Sequence, residues 1–198
     1  MDKNLQSFWI KLLLYLSRYI DSRVSPSGHH STQVAKWVKT TARKLECNED
    51  ETRSIYWAAL LHDIGKIGVP DKVLSKAGPL TDEEWEVMKL HPTVGSNIVQ
   101  SLKAISHIAP VIYAHQEKYD GSGYPEGLQG EQIPLGARIL TVVDAYDAMT
   151  SDRRYRKGRS HQEAADELRQ LGGKQFDPQV VEAFLEVIPA TENAMAWM

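Results

Sequence analysis

Cysteine is nearly absent: Cys47 stands alone in 198 residues, so neither an intrachain disulfide nor a thiolate cluster can form. Soft metal ligands, if any, must come from the seven histidines. A large excess of positive or negative residues is lacking as well. The 23 basic and 26 acidic residues leave a net −3, which gives no overall pull toward duplex nucleic acid or an anionic membrane. There is no long apolar run either: "FWIKLLLYL" near the N-terminus carries Lys11, is followed by Arg18 and has no small-residue cleavage site after it. It is too short to cross a bilayer and does not read as a signal peptide. A cytoplasmic protein with no membrane segment is expected. Linker-like stretches and convincing period-2 strands are lacking too, with 140–143 the only short run where a strand is plausible. One all-α domain follows.

What is present is helical periodicity. Leu5, Phe8, Trp9, Leu12, Leu16, Tyr19 and Ile20 mark an amphipathic helix over 4–23, which needs a partner surface, either the rest of the domain or a dimer mate. Val34, Trp37, Val38, Thr41, Ala42 and Leu45 mark a second helix, and 51–63 a third. Thr81 with Glu84 and Ser160 with Glu163 are capping-box starts. His91-Pro92 opens a helix to about residue 102, and 105–119 reads as a helix that Pro110 kinks. Residues 119–136, dense in Gly and Pro, form the one long irregular loop, a kind of segment that is often functional. A helix over 137–151 and a last one from Pro178 complete the chain. The expected division is an N-terminal helix over 1–25, the main domain over 26–190 and a tail over 191–198.

The histidines are the chemical signal. Residues three and four apart share a helix face, so His62 lies with Ala58 and Ala59, His91 with Val87 and Met88, His115 with Val111 and Ile112, and His30 with Val34. A single inward histidine is most often a hydrogen-bonded core residue, but here four occur on separate helices. His161 also passes the test, whereas His29 aligns with Gln33 and Lys36 and should face water. What sets His62 apart is the adjacent Asp63. Neighbouring side chains on a helix diverge by about 100 degrees, so a cation between them is a natural meeting point. A carboxylate can bridge two cations, which makes the pair a reasonable nucleus for a binuclear centre. Asp144, on a face with Leu140, Thr141 and Ala148, is a second inward carboxylate, and Asp147 competes with it.

Together "LLHDIGKIGVPDKVL", "HPTVG", "HQEKYDGSGYPEGLQG" and "VVDAYDAMTSDRRYRKG" resemble the HD-GYP subgroup of the HD-domain phosphohydrolases over residues 26–186. The resemblance implies an HD-domain-like helical bundle with an inserted GYP loop. It also implies two divalent transition-metal ions (Fe, Mn, Ni or Zn) and hydrolysis of cyclic di-GMP, by metal-bound hydroxide, to linear pGpG and on to GMP. It assigns His30, His62, Asp63 and Asp144 to one ion and His91 and His115, beside a bridging Asp63, to the other. Asp63 and Lys66 would be catalytic, with Lys66 at the scissile phosphate and Arg153 and Arg156 as further phosphate ligands. Tyr124 in "DGSGYP" would stack on guanine or shape the loop, and that loop would also contact GGDEF-type signalling proteins.

Two positions depart from the family pattern. Gln116 stands where the motif has a second histidine, leaving at most a weak carbonyl ligand there, and Pro26 stands where members with a third metal carry glutamate. Two ions, not three, are expected. Such losses favour one alternative, a degenerate binding or interaction module; a phosphohydrolase acting on another cyclic dinucleotide or nucleotide is a further one, because the sequence carries no readable guanine recognition. Family members commonly follow a sensory or receiver domain, so the chain reads as an excised or free-standing output domain. Cys47, His107 and His161 are expected to be structural.

Overall fold

The structure, a computed structural model, describes residues 3–24, 28–152 and 157–195. Pro26, Arg153 and Arg156 lie outside the described residues. Among those described, ten helices and three 3₁₀ turns alternate with loops and there is no sheet, only two isolated bridges. The helices are α1 (Lys3–Val24), α2 (His30–Lys44), α3 (Glu49–Leu61), α4 (Asp71–Leu74), α5 (Asp82–Met88) and α6 (His91–Gln100), then α7 (Ala109–Ala114), α8 (Leu135–Thr150), α9 (His161–Gln170) and α10 (Pro178–Met195). Residues 140–143, the one stretch open to a strand by its sequence, lie within α8, and α10 runs into the expected tail.

Local chemistry fixes most helix starts. Thr81 and Glu84, and likewise Ser160 and Glu163, exchange side-chain and backbone hydrogen bonds as complete capping boxes. A third such box, Asn48 with Glu51, starts α3 earlier than the expected residue 51. Its first turn carries Glu49, Asp50 and Glu51, which suit the positive end of the helix dipole. Pro110 does not kink a long helix. It occupies the first turn of α7, where its missing N–H costs nothing, and the 3₁₀ turn Ser106–Ile108 precedes it.

Two large apolar cores result, with a small third cluster of Ala114, Ile133 and Ala137 beside them. One gathers Val34, Val38, Val143, Tyr146, Phe184 and Ile188 from α2, α8 and α10. The other gathers Leu13, Ile20, Ile64, Val99 and Ile112 from α1, α6, α7 and the 3₁₀ turn Ile64–Gly68. α3 belongs to both, since Ile55 and Ala59 pack into the first and Ala58 and Leu61 into the second. Its C-terminal end is therefore delivered to the seam between them. α1 is tied down by Ser17, whose hydroxyl donates to the Leu60 carbonyl at 2.7 Å, while Leu5, Phe8, Trp9, Tyr15 and Tyr19 remain exposed. No helix of the described residues is long and apolar enough to cross a membrane.

The seam is narrow at Gly65. A Cβ there would lie 2.0 Å from the His91 carbonyl oxygen and 2.5 Å from the Gly95 nitrogen. Only glycine lets the turn after Asp63 rest directly on α6.

Candidate metal centre

His62 follows the last residue of α3 and Asp63 precedes the adjoining 3₁₀ turn. His30 and His91 are the first residues of α2 and α6, and His115 follows α7. Asp144 alone comes from within a helix, α8. Helix ends suit the task, because a terminal side chain reaches past its own helix into the space shared with others. His62, Asp63, His91 and His115 are each at most 5% exposed.

The six residues form two triads, His30 with His62 and Asp144, and Asp63 with His91 and His115. Within each triad the nearest ligand atoms all lie within 4.8 Å of one another. His30 Nε2 is 3.1 Å from Asp144 Oδ1, and the Nε2 atoms of His91 and His115 are 3.1 Å apart. Asp63 faces both triads: Oδ2 lies 3.5 Å from His62 Nε2 and Oδ1 lies 3.6 Å from His91 Nε2. Lys66 Nζ pairs with Oδ2 at 2.6 Å.

Three of the imidazoles are oriented by the same device. Nδ1–H of His62 donates to the Ala59 carbonyl at 2.8 Å, that of His91 to Met88 at 2.8 Å and that of His115 to Ile112 at 2.6 Å. A carbonyl only accepts, so each bond places the proton on Nδ1 and leaves a lone pair on Nε2. His91 and His115 are held neutral, because burial depresses their pKa values to about 4 and about 3. Two lone pairs therefore confront each other across 3.1 Å. His62 Nε2 and Asp63 Oδ1 are moreover buried without a hydrogen-bond partner, a costly state for polar atoms.

The carboxylates complete the charge pattern. Burial opposes ionisation of Asp63, but the Lys66 ammonium holds its pKa well below the usual range. Burial likewise opposes ionisation of Asp144, whose pKa is lowered by its bond to His30. His30 lies between Asp144 and Asp147, and against the cost of burial their hydrogen bonds push its pKa up to about 11. Divalent cations fit this donor set. Metal–nitrogen bonds of about 2.1 Å place neighbouring ligands of one ion roughly 3 Å apart, and a cation relieves both the facing lone pairs and the unpartnered atoms.

Some residues here escaped the sequence reading. Asp147 competed with Asp144 for the inward position, and both are used: Asp144 joins the triad, while Asp147 accepts from His30 Nδ1 at 2.6 Å. Buried Glu117 accepts from the backbone N–H groups of Glu126 and Gly127 at 2.7 and 3.1 Å, anchoring the GYP loop. Gly123 fits only because a Cβ would lie 2.3 Å from the Lys118 nitrogen. Asp21 of α1 accepts from both the N–H and hydroxyl of Ser31, beside His30. No local pattern signals that contact between separate helices.

Other expected positions are also located. Gln116 lines the hollow beside His115 and Asp144. Tyr124, joined to Pro125 by a cis bond, feels the charges of Asp63 and Asp144; burial first, and then those charges, push its pKa up to about 12. His161 begins α9 and its Nδ1 meets the Tyr146 hydroxyl at 2.9 Å. His29 is exposed.

A family model described as HD domain matches residues 15–180. A cyclic di-GMP phosphodiesterase of Thermotoga maritima is 41% identical over 181 residues, covering 90% of this chain and 48% of its own length. The 3'3'-cGAMP-specific phosphodiesterase 2 of Vibrio cholerae is 35% identical over 178 residues, covering 89% of this chain and 34% of its own length. The solved structure of a cyclic GMP-AMP specific phosphodiesterase from V. cholerae superposes with a TM-score of 0.70 at 20% identity, over 91% of this chain and 48% of that one. That last likeness is one of fold. The chain spans less than half the length of these relatives. The matched span takes in all six residues of the two triads, and the chain belongs to the HD-domain phosphohydrolase family.

Proposed function

We propose that this chain forms the hydrolytic domain of a metal-dependent phosphodiesterase acting on a cyclic dinucleotide, with cyclic di-GMP as substrate and linear pGpG, then GMP, as products. The observation that carries the proposal is Asp63, which turns Oδ2 toward His62 Nε2 in one triad and Oδ1 toward His91 Nε2 in the other, with His62 Nε2 and Asp63 Oδ1 buried without partners. The names of the relatives support the substrate class.

In this reading His30, His62 and Asp144 hold one ion and His91 and His115 the other. Asp63 would serve both, and Gln116 would be a weak ligand. Two divalent ions, when bound, supply Lewis acidity toward the phosphodiester and a lowered pKa for water. Mixed imidazole and carboxylate donors suit Fe, Mn, Ni or Zn better than Mg. The chain's own groups do the positioning. The Nδ1–H bonds to backbone carbonyls fix the ligand tautomers, and Asp147 orients His30. Lys66, at 2.6 Å from Asp63, places a positive charge where a phosphate would bind. Tyr124 stays protonated and able to donate a hydrogen bond, while Arg153 and Arg156 supply phosphate-binding guanidiniums.

The proposal includes a cytoplasmic setting, GGDEF-type partners at the GYP loop, and pairing of two copies through the exposed face of α1. A second reading, a degenerate interaction module, is favoured by Gln116, which stands where the resembling family has histidine. Reconstitution with Mn or Fe, metal analysis and a cyclic-dinucleotide panel followed by product chromatography separate the two. Turnover of cyclic di-GMP with two bound ions supports the enzyme. Two bound ions without turnover of any panel member would leave the module.

A further inference from the structure

One large aromatic side chain near the centre has no role in either triad. Trp85 stands on α5, a seven-residue helix with no buried residue, and is 46% exposed. The helix is held in place by its Thr81–Glu84 capping box and by an ion pair between Lys76 and Glu84. Trp85 meets Tyr124 edge to face, with ring centroids 6.1 Å apart, and Tyr124 is near enough to feel the charges of Asp63 and Asp144. The indole is thus one aromatic ring removed from the centre.

Trp85 and Tyr124 line a hollow of about 470 Å³ together with Lys89, Gln116 and Gln175. A second hollow, of about 410 Å³, reaches His115 and Asp144. Gln116, Thr141 and Gln175 line both, forming a ridge between two spaces that flank the centre. A cyclic dinucleotide presents two bases on either side of its phosphodiester ring, and two adjoining hollows offer one space for each.

We infer that Trp85 is the stacking platform for one nucleobase of the substrate, in the hollow bounded by the Gln116 and Gln175 side chains. This inference rests on the cyclic-dinucleotide reading above. An exposed indole offers its face to any base, because every base has a π-face, and such stacking contributes affinity rather than base choice. Neutral amide groups at the same hollow supply both donors and acceptors for a base edge. Two lysines also line this hollow, Lys89, which is paired with Glu86 at 2.7 Å, and Lys118.

The test is equilibrium binding of a cleavage-resistant phosphorothioate analogue of cyclic di-GMP to the purified protein with Mn present. It is followed both by calorimetry and by tryptophan fluorescence, for wild type, Trp85→Ala and Trp85→Phe. The wild type should bind with quenched indole emission. Trp85→Ala should weaken binding by about 5- to 150-fold, the range for losing one stacked base. Trp85→Phe should keep affinity within a few fold and lose the quench, which assigns the quench to residue 85. Binding by Trp85→Ala within twofold of wild type, or full quenching in Trp85→Phe, overturns the inference while leaving the substrate class standing. No binding by the wild type overturns both.

Discussion

Replacing Gly65 by alanine tests how closely the centre depends on backbone contact. The added Cβ would sit 2.0 Å from the His91 carbonyl oxygen and 2.5 Å from the Gly95 nitrogen, and neither backbone atom can rotate aside. Such contacts relax to about 3.5 Å, so the turn after Asp63 and the start of α6 must part by more than about 1 Å. Overpacking of this kind costs roughly 1–3 kcal/mol. The displacement also separates Asp63 Oδ1 from His91 Nε2, now 3.6 Å apart, whereas metal sites tolerate about 0.2 Å. Urea denaturation of the chelated protein should therefore show a loss of roughly 1–3 kcal/mol. Metal analysis after dialysis should show the ion of the Asp63, His91 and His115 triad depleted first, because the other triad takes no ligand from α6. An unchanged urea midpoint together with full metal content would refute the reasoning.

Three further outcomes are expected. The chelated protein should be most stable near pH 6.5. His91 and His115 have folded pKa values of about 4 and about 3, below the ordinary 6.5, so their contribution is complete above pH 6.5 and falls as pH drops toward those values. His30, raised to about 11, contributes fully below pH 6.5 and loses that contribution as pH rises toward 11; denaturation midpoints that stay level from pH 7 to about 4.5 would contradict this. Asp21→Ala leaves the N–H and hydroxyl of Ser31 without their acceptor and should cost roughly 1–3 kcal/mol in chemical denaturation, against an alternative of no measurable change. Gln116→His places an imidazole beside His115 and should raise metal affinity at that triad, read as slower loss of the second ion to a chelator; a loss rate equal to wild type would argue that position 116 does not reach the ion.

Much of this was legible because helical periodicity is local. The inward placement of His62, His91 and His115 followed from neighbours three and four residues earlier, and the same spacing brings the carbonyls of Ala59, Met88 and Ile112 to their Nδ1 atoms. Capping boxes at Thr81 and Ser160 were readable for the same reason. What escaped depends on approach between distant segments. Asp144 and Asp147 are three residues apart and share a helix face, so only the ring of His30, from another helix, distinguishes them. Asp21 caps the first turn of α2 from another helix, α1. Trp85 sits on a helix with no buried face, so periodicity says nothing about what it meets. The fate of Pro110 turned on whether the helix began before it or at it, a boundary that pattern alone places poorly.

The central claim, two cations sharing Asp63, is tested most directly by anomalous scattering from crystals of the metal-loaded protein. Two peaks are expected, separated by about 3.5–4 Å. One should lie among His30, His62 and Asp144, the other among His91, His115 and Asp63. A single peak, or ions bound away from Asp63, would contradict the account.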